Sequence, residues 1–216
     1  LSQLLPKASQ CFVGNSLPVR MMELFAHTAN VRWFSQRGAS GIDGVLAHAF
    51  GVALSGDVAT TLIIGDLSLL HDLNSLALVA AKDAIETVVV DTKAEGVNNV
   101  SDHGMEKPVS GNGSVLTAPF VIVVLNNNGG NIFRFLPVPD RQRKPLFQTP
   151  HGLSFAEISK GFGISYVNPR SLSEFSNAYQ EAIGQVRATL IEVRIPEDGA
   201  HHDISAIRRA FLRQQK

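Results

Sequence analysis

The chain has 216 residues, 44% hydrophobic and only 18% charged, and its 19 basic and 19 acidic side chains cancel. That balance leaves no electrostatic footprint for nucleic acid or an anionic membrane surface, and no stretch reaches the roughly 18 apolar residues of a membrane span. The lone cysteine, Cys11, excludes an internal disulfide framework and suits a reducing compartment.

The first residues, Leu1-Ser2-Gln3-Leu4-Leu5-Pro6, lack the basic and apolar regions of a signal peptide and include no initiator Met, so a fragment or downstream part of a longer chain is expected. A short apolar strand is predicted at 11–14, then a helix at 19–28 and a strand at 31–35. A helix at 43–54, a strand at 61–64 and a helix at 69–81 follow, with a weaker strand signal at 86–91. From about 92 to 116 the sequence turns polar, rich in Gly, Ser and Asn and without period, which predicts a flexible surface insertion. The run Phe120-Val121-Ile122-Val123-Val124-Leu125 is continuously apolar, as in a strand covered on both faces. Strands at 164–167 and 189–195 flank a helix at 171–184, which opens on the capping-box pattern Ser171-Leu172-Ser173-Glu174. A basic helix at 204–215 closes the series. Alternating strands and helices predict an α/β domain. Its sheet is doubly wound, mainly parallel and six-stranded, with helices on both faces and ligands at the carboxyl ends of the strands.

Two strand ends carry the chemistry. Ile63-Ile64-Gly65-Asp66-Leu67-Ser68 ends a strand in Gly-Asp, and Val123-Val124-Leu125-Asn126-Asn127-Asn128-Gly129-Gly130 ends another in amides and glycines. Mg²⁺ takes hard oxygen donors and shares its sphere with phosphates. A carboxylate, an amide oxygen and a glycine carbonyl supply such donors, while glycines let the backbone approach an anion closely. Taken singly, each element also suits a plain turn. In this order they resemble the motif of thiamine-diphosphate enzymes, Gly-Asp-x followed downstream by Asn-Asn.

Four longer stretches narrow the resemblance. They are Phe12-Val13-Gly14-Asn15-Ser16 with Arg20, Arg37-Gly38-Ala39-Ser40-Gly41-Ile42-Asp43-Gly44, the run from Gly65-Asp66-Leu67-Ser68 through Leu69-Leu70-His71-Asp72-Leu73-Asn74, and Asn126-Asn127-Asn128-Gly129-Gly130-Asn131-Ile132-Phe133. Together they are similar to the thiamine-diphosphate-binding domain of 2-succinyl-5-enolpyruvyl-6-hydroxy-3-cyclohexene-1-carboxylate (SEPHCHC) synthases, from about residue 12 to 195 except near 92–116.

The resemblance implies a thiamine-diphosphate-binding fold over residues 1–216 and two cofactors, thiamine diphosphate and Mg²⁺, with Mn²⁺ as a substitute. Asp66, the Asn127 side chain and the Gly129 carbonyl would hold the metal. Gly65, Ser68 and Leu69 would meet the diphosphate, and Ile42 and Ile132 the rings. Ser16, Arg20 and Arg37, with the apolar wall Ile132, Phe133 and Leu136, would take the substrates. In that family 2-oxoglutarate is decarboxylated and the succinyl semialdehyde carbanion adds to isochorismate, in menaquinone or phylloquinone biosynthesis. Both substrates are dicarboxylates, and arginine pairs with carboxylates in bidentate fashion. By residue type alone, Arg20 and Arg37 also suit solvated positions, the apolar residues suit plain core, and Ser16 suits a helix cap.

The family's activating glutamate lies on a pyrimidine-binding domain, absent here, which the same or a second subunit would supply; a homodimer or tetramer is expected. The expected compartment is the bacterial cytoplasm, or a plastid for an algal or plant source. Competing readings are an acetolactate synthase or 2-oxoacid decarboxylase type of enzyme, and a non-catalytic cofactor-binding fragment. Asp66 and Asn127 are 61 positions apart, about twice the usual spacing of the motif. A surface excursion accounts for the excess, since loop-closure entropy grows only logarithmically with length.

Overall fold

The computed structural model describes residues 1–26, 30–80, 116–199 and 201–206. Six strands pair, all in parallel: β1 (Gln10–Val13), β2 (Arg32–Ser35), β3 (Thr60–Gly65), β4 (Phe120–Asn126), β5 (Ser165–Val167) and β6 (Ala188–Arg194). Their order in the sheet is β2-β1-β3-β4-β6-β5. The doubly wound expectation holds, with every strand within two residues of its predicted bounds. The expected strand at 86–91 and the insertion at 92–116, save Leu116, lie outside the described residues, as does the last helix beyond residue 206.

The continuous apolar runs bury both faces of the sheet. Leu62, Ile64, Ile122, Val124 and Leu190 point to one side, against Leu46, Ala49 and Phe50 of α2 (Val45–Leu54). Their neighbours Ile63, Val121, Val123 and Ile191 point to the other, against Val19 of α1 (Leu17–Phe25) and Phe175 and Tyr179 of the last major helix. This is the two-residue period of a strand covered by helices on both sides. Each fully buried Val, Leu, Ile or Phe contributes about 1.5–3 kcal/mol. The Tyr179 hydroxyl finds its partner in Thr61 Oγ1 at 2.7 Å, so this large side chain leaves no orphan polar atom.

The helix predicted at 69–81 is two helices, α3 (Asp66–Leu70) and α4 (Ser75–Ala80), separated by a turn. The reason is tertiary. Asp72 is buried in that turn, and its Oδ2 accepts from the Leu46 and Ala47 amides at 2.7 and 3.1 Å, while Oδ1 accepts from Ser75 Oγ. Helix α2 has Gly44 at its N-cap and no capping side chain of its own. Asp72 therefore satisfies the free amides of a different helix, and continuing α3 through it would lose that bond.

Between β4 and β5, where the sequence predicts no element, the chain winds a 3₁₀ turn (Asn131–Phe135), α5 (Asp140–Arg143), a π-helical turn (Lys144–Gln148) and α6 (Ala156–Gly161). These pieces are too short to show a helical period. Helix α7 (Leu172–Ile183) follows with its predicted cap: Ser171 Oγ accepts from the Glu174 amide at 3.1 Å. The Glu174 carboxylate, however, accepts from the Arg170 amide, one residue earlier than the reciprocal box requires.

Candidate active site at the carboxyl edge of the sheet

From β1 the chain runs outward to β2 and then returns across β1 to β3, so connections leave the carboxyl ends of β1 and β3 in opposite directions. Such a reversal opens a crevice. A cleft lies there, lined by Asn15, Ser16, Ile42, Gly65, Asp66 and Ser68 from one side and Asn127, Gly129, Ile132 and Phe133 from the other.

The pairing of β3 with β4 runs unbroken from Thr60 opposite Phe120 to Gly65 opposite Leu125. Asp66 therefore leaves its strand beside the Asn126-Asn127-Asn128 turn, despite the long intervening sequence. Its carboxylate is 3% exposed. Oδ2 accepts from the Asn127 amide at 3.1 Å, the Gly129 amide at 2.9 Å and His151 Nε2 at 3.1 Å. Among the described residues Oδ1 accepts only from the Leu67 amide, at 2.8 Å, which leaves it a lone pair.

Gly129 has φ +127°, and a Cβ there would collide with the Gln148 carbonyl. Glycine is required for the π-helical turn to pack against the loop; the Gly130 amide donates to that same carbonyl at 2.7 Å. Asn131 adds a second tie, its Nδ2 reaching the Asn127 carbonyl at 2.5 Å while its Oδ1 accepts from Gln148 Nε2.

Two polar groups in the cleft have acceptor capacity to spare. The Asn127 side-chain amide has no hydrogen-bond partner among the described residues, and the Gly129 carbonyl takes one bond, from the Asn131 amide at 2.8 Å. Asn15, 2% exposed, donates both Nδ2 hydrogens to backbone carbonyls, Gln36 at 3.1 Å and Gly41 at 2.6 Å. Its orientation is thereby fixed, and its buried Oδ1 is left without a donor. A buried acceptor of this kind costs stability unless a ligand completes it.

The remaining predicted residues fall elsewhere. Leu69 is wholly buried in the core and does not line the cleft. Leu136 is 43% exposed and outside the cleft lining. Arg20 and Arg37 are exposed and also outside that lining; one Arg20 Nη donates to the Ser16 carbonyl at 2.7 Å. Ser16 stands at the N-cap of α1 with φ +74° and makes no capping bond, so its hydroxyl is not used as a cap.

Sequence reasoning missed four residues that build this edge: Asn15, Asn131, His151 and Glu192. Glu192, at the centre of β6, is fully buried, and its Oε2 accepts from Tyr166 Oη at 2.6 Å, the Phe155 amide at 3.0 Å and Ser154 Oγ at 3.1 Å. Oε1 accepts from Asn126 Nδ2 at 2.7 Å. Burial by itself would raise the Glu192 pKa, but bonds from Tyr166, the Phe155 amide, Asn126 and Ser154 outweigh it and hold the carboxyl below its ordinary 4.5. Asn15 and Asn131 stood within the quoted stretches without being singled out, and no motif advertised His151 or Glu192; a charged Glu in the otherwise apolar run Leu190-Ile191-Glu192-Val193 was the available signal.

Over most of its length the sequence aligns with 2-succinyl-5-enolpyruvyl-6-hydroxy-3-cyclohexene-1-carboxylate synthases. It is 40% identical to that of Psychromonas ingrahamii over 208 residues, covering 96% of this chain and 30% of the relative. Against the Shewanella halifaxensis enzyme it is 41% identical over 201 residues, 92% of this chain and 29% of the relative. The chain is a homologue of one segment of the SEPHCHC synthases. It spans about 30% of the length of the relatives it matches. No protein-family model matches. A benzoylformate decarboxylase from Polynucleobacter necessarius superposes with a TM-score of 0.63 at 18% identity, over 91% of this chain and 32% of that one. That likeness shows the fold alone. Among the described residues no helix is long and apolar enough to cross a membrane.

Proposed function

We propose that this chain is the part of a SEPHCHC synthase that holds the diphosphate end of thiamine diphosphate through a Mg²⁺ ion. The carrying observation is the convergence of Asp66 with the Asn127–Gly129 loop, its Oδ2 lying 2.9 Å from the Gly129 amide across 63 positions of sequence. The residues fit the cation: Asp66 Oδ1, the unpartnered Asn127 side chain and the Gly129 carbonyl are three hard oxygen donors in one cleft. Mg²⁺ at such sites completes its octahedron with phosphate oxygens and water. The residues also fit the organic part. Asn15 Oδ1 awaits an N–H donor, which an aminopyrimidine carries, and Ile42, Ile132 and Phe133 give an apolar wall that excludes water from a cationic ring.

Bound thiamine diphosphate supplies the carbon nucleophile and electron sink for decarboxylating a 2-oxoacid. Arg20 and Arg37 hold the carboxylates of 2-oxoglutarate and isochorismate from outside the cleft, at a site completed by a pyrimidine-binding domain of the same or a second subunit. That domain brings the activating glutamate. Glu192 does not take its place, since both its oxygens are bonded to the protein interior. A homo-oligomer of the bacterial cytoplasm accords with this reading.

The test uses the full-length subunit. Consumption of 2-oxoglutarate and isochorismate that depends on thiamine diphosphate and Mg²⁺, and is abolished in Asp66→Ala, is the expected result. Turnover of pyruvate in place of 2-oxoglutarate would reassign the chain to an acetolactate synthase or decarboxylase. Calorimetric binding of the cofactor pair equal in wild type and Asp66→Ala would remove Asp66 from the metal site.

A further inference from the structure

The ring of His151 is held at both nitrogens. Nδ1 accepts from the Leu153 amide at 3.0 Å, so the ring hydrogen sits on Nε2, and Nε2 donates to Asp66 Oδ2 at 3.1 Å. The side chain is 9% exposed, with its ring against the edge of Phe155 at 6.5 Å between centroids. The backbone is fixed as well: the His151 and Gly152 amides both donate to Asn128 Oδ1, at 3.1 and 2.7 Å. With both nitrogens engaged inside the protein, neither is free to take a proton from a substrate or give one to it. This arrangement points the ring to a hydrogen-bonding role within the protein.

What the bond accomplishes follows from the two oxygens of Asp66. Among the described residues, the Asn127 and Gly129 amides and His151 crowd Oδ2 with three donors, whereas Oδ1 has one. A carboxylate oxygen offers about two lone-pair directions, so Oδ2 is saturated and only Oδ1 can face a cation. The two amide donors belong to the same loop as Asn127 and Gly129 and would move with it. His151 comes from a separate segment, anchored through Phe155 and Ser154 to the buried Glu192 of β6. It is the donor that ties the carboxylate to a second segment, one bonded both to Asn128 of the metal loop and to β6.

We propose that His151 is a positioning residue for the metal site, selecting Asp66 Oδ1 as the oxygen presented to the divalent cation. The inference rests on the reading of Asp66 as a metal ligand given above. Hydrogen-bonded partners of this kind, one step removed from the metal, alter affinity by about 10–100-fold when removed.

Mn²⁺ binding to the full-length subunit with thiamine diphosphate, followed by the loss of the free-ion electron paramagnetic resonance signal, separates the possibilities. His151→Ala is expected to bind Mn²⁺ about 10–100-fold more weakly. His151→Gln, whose terminal amide can still donate to Oδ2, is expected to recover affinity to within a few-fold of wild type. A merely structural role would lower the thermal midpoint of both variants without cation and give no selective rescue by Gln. Wild-type affinity in His151→Ala, with binding lost in Asp66→Ala, would overturn the proposal and leave the metal site standing. Unchanged affinity in Asp66→Ala would instead overturn the metal site itself, and the proposal with it. If the Ala variant fails to fold, the Gln variant decides: near wild-type affinity supports the donor role, and a 10-fold or greater loss refutes it.

Discussion

Replacing Glu192 by Gln tests whether the buried carboxylate holds the carboxyl edge of the sheet together. The wild-type side chain accepts four hydrogen bonds, three at Oε2 and one at Oε1, with none of its surface exposed. Glutamine keeps one acceptor oxygen. Turned toward Tyr166, Ser154 and the Phe155 amide, it must set its NH₂ against Asn126 Nδ2. Asn126 cannot flip to relieve the clash, because Nδ2 also donates to the Leu153 carbonyl and Oδ1 accepts from the Asn128 amide. At least one charge-assisted bond is lost outright and the other three weaken. Bonds to charged groups contribute about 1.5–3 kcal/mol each, so the variant should lose about 2–4 kcal/mol. For a chain of this size that corresponds to a fall of about 4–16 °C in thermal midpoint.

The pH dependence is a second readout of the same substitution. The folded state holds the Glu192 carboxyl below its ordinary 4.5, so the unfolded chain takes up its proton first as pH falls. The contribution is complete above the unfolded value and disappears as pH drops through the folded one. Urea denaturation at pH 7 and at successively lower pH should therefore show a wild-type advantage that is level near neutrality and shrinks below about pH 4. A Glu192→Gln variant within about 0.5 kcal/mol of wild type at pH 7, the range of a neutral surface change, would refute the reasoning. So would an advantage that survives undiminished in acid.

Gly129→Ala should cost about 2–4 kcal/mol in chemical denaturation, since φ is +127° and the new Cβ meets the Gln148 carbonyl; an Ala variant as stable as wild type would mean that the π-helical turn is not packed on the loop. Tyr179→Phe orphans the buried Thr61 hydroxyl and should cost about 1–2 kcal/mol. Burial raises the Tyr179 phenol to about 12, so the wild-type advantage holds below the unfolded value of about 10 and declines as pH rises past it. Cys11, wholly buried and pushed up to about 12 by burial, should resist a thiol-reactive disulfide reagent at pH 8 in the native protein and react only on unfolding.

The sheet was legible because each strand is an apolar run with an intact two-residue period, as in Thr61-Leu62-Ile63-Ile64. The two strand ends were legible because Gly-Asp and Asn-Asn-Gly each combine a turn with hard oxygen atoms. The polar residues that brace the site were not legible, for a common physical reason. Asp72, His151 and Glu192 act through long-range hydrogen bonds, which span up to 26, 85 and 66 positions respectively. Such bonds leave no periodicity in the chain, and their donors and acceptors are ordinary polar residues until the fold brings them together. Asp72 is the sharpest case. It sat inside a recognised motif, yet its work for α2 became visible only when the predicted helix proved to be broken there.

The long excursion between β3 and β4 and the precision of the cleft are compatible because they draw on different energies. The position of Asp66 relative to Asn127 is set by six residue pairs of β3 and β4, from Thr60 with Phe120 to Gly65 with Leu125. Slipping that register by one residue would move Leu62 and Ile64 to the face of α1 and α7, and Ile63 to the face of α2, unpacking both cores at once. Lengthening the connection costs far less, about 0.6 kcal/mol for each doubling. A chain can therefore vary widely between residues 80 and 116 without disturbing the carboxylate and the loop it meets. The distance in sequence bears little on the site, and the uninterrupted ladder between the two strands bears a great deal.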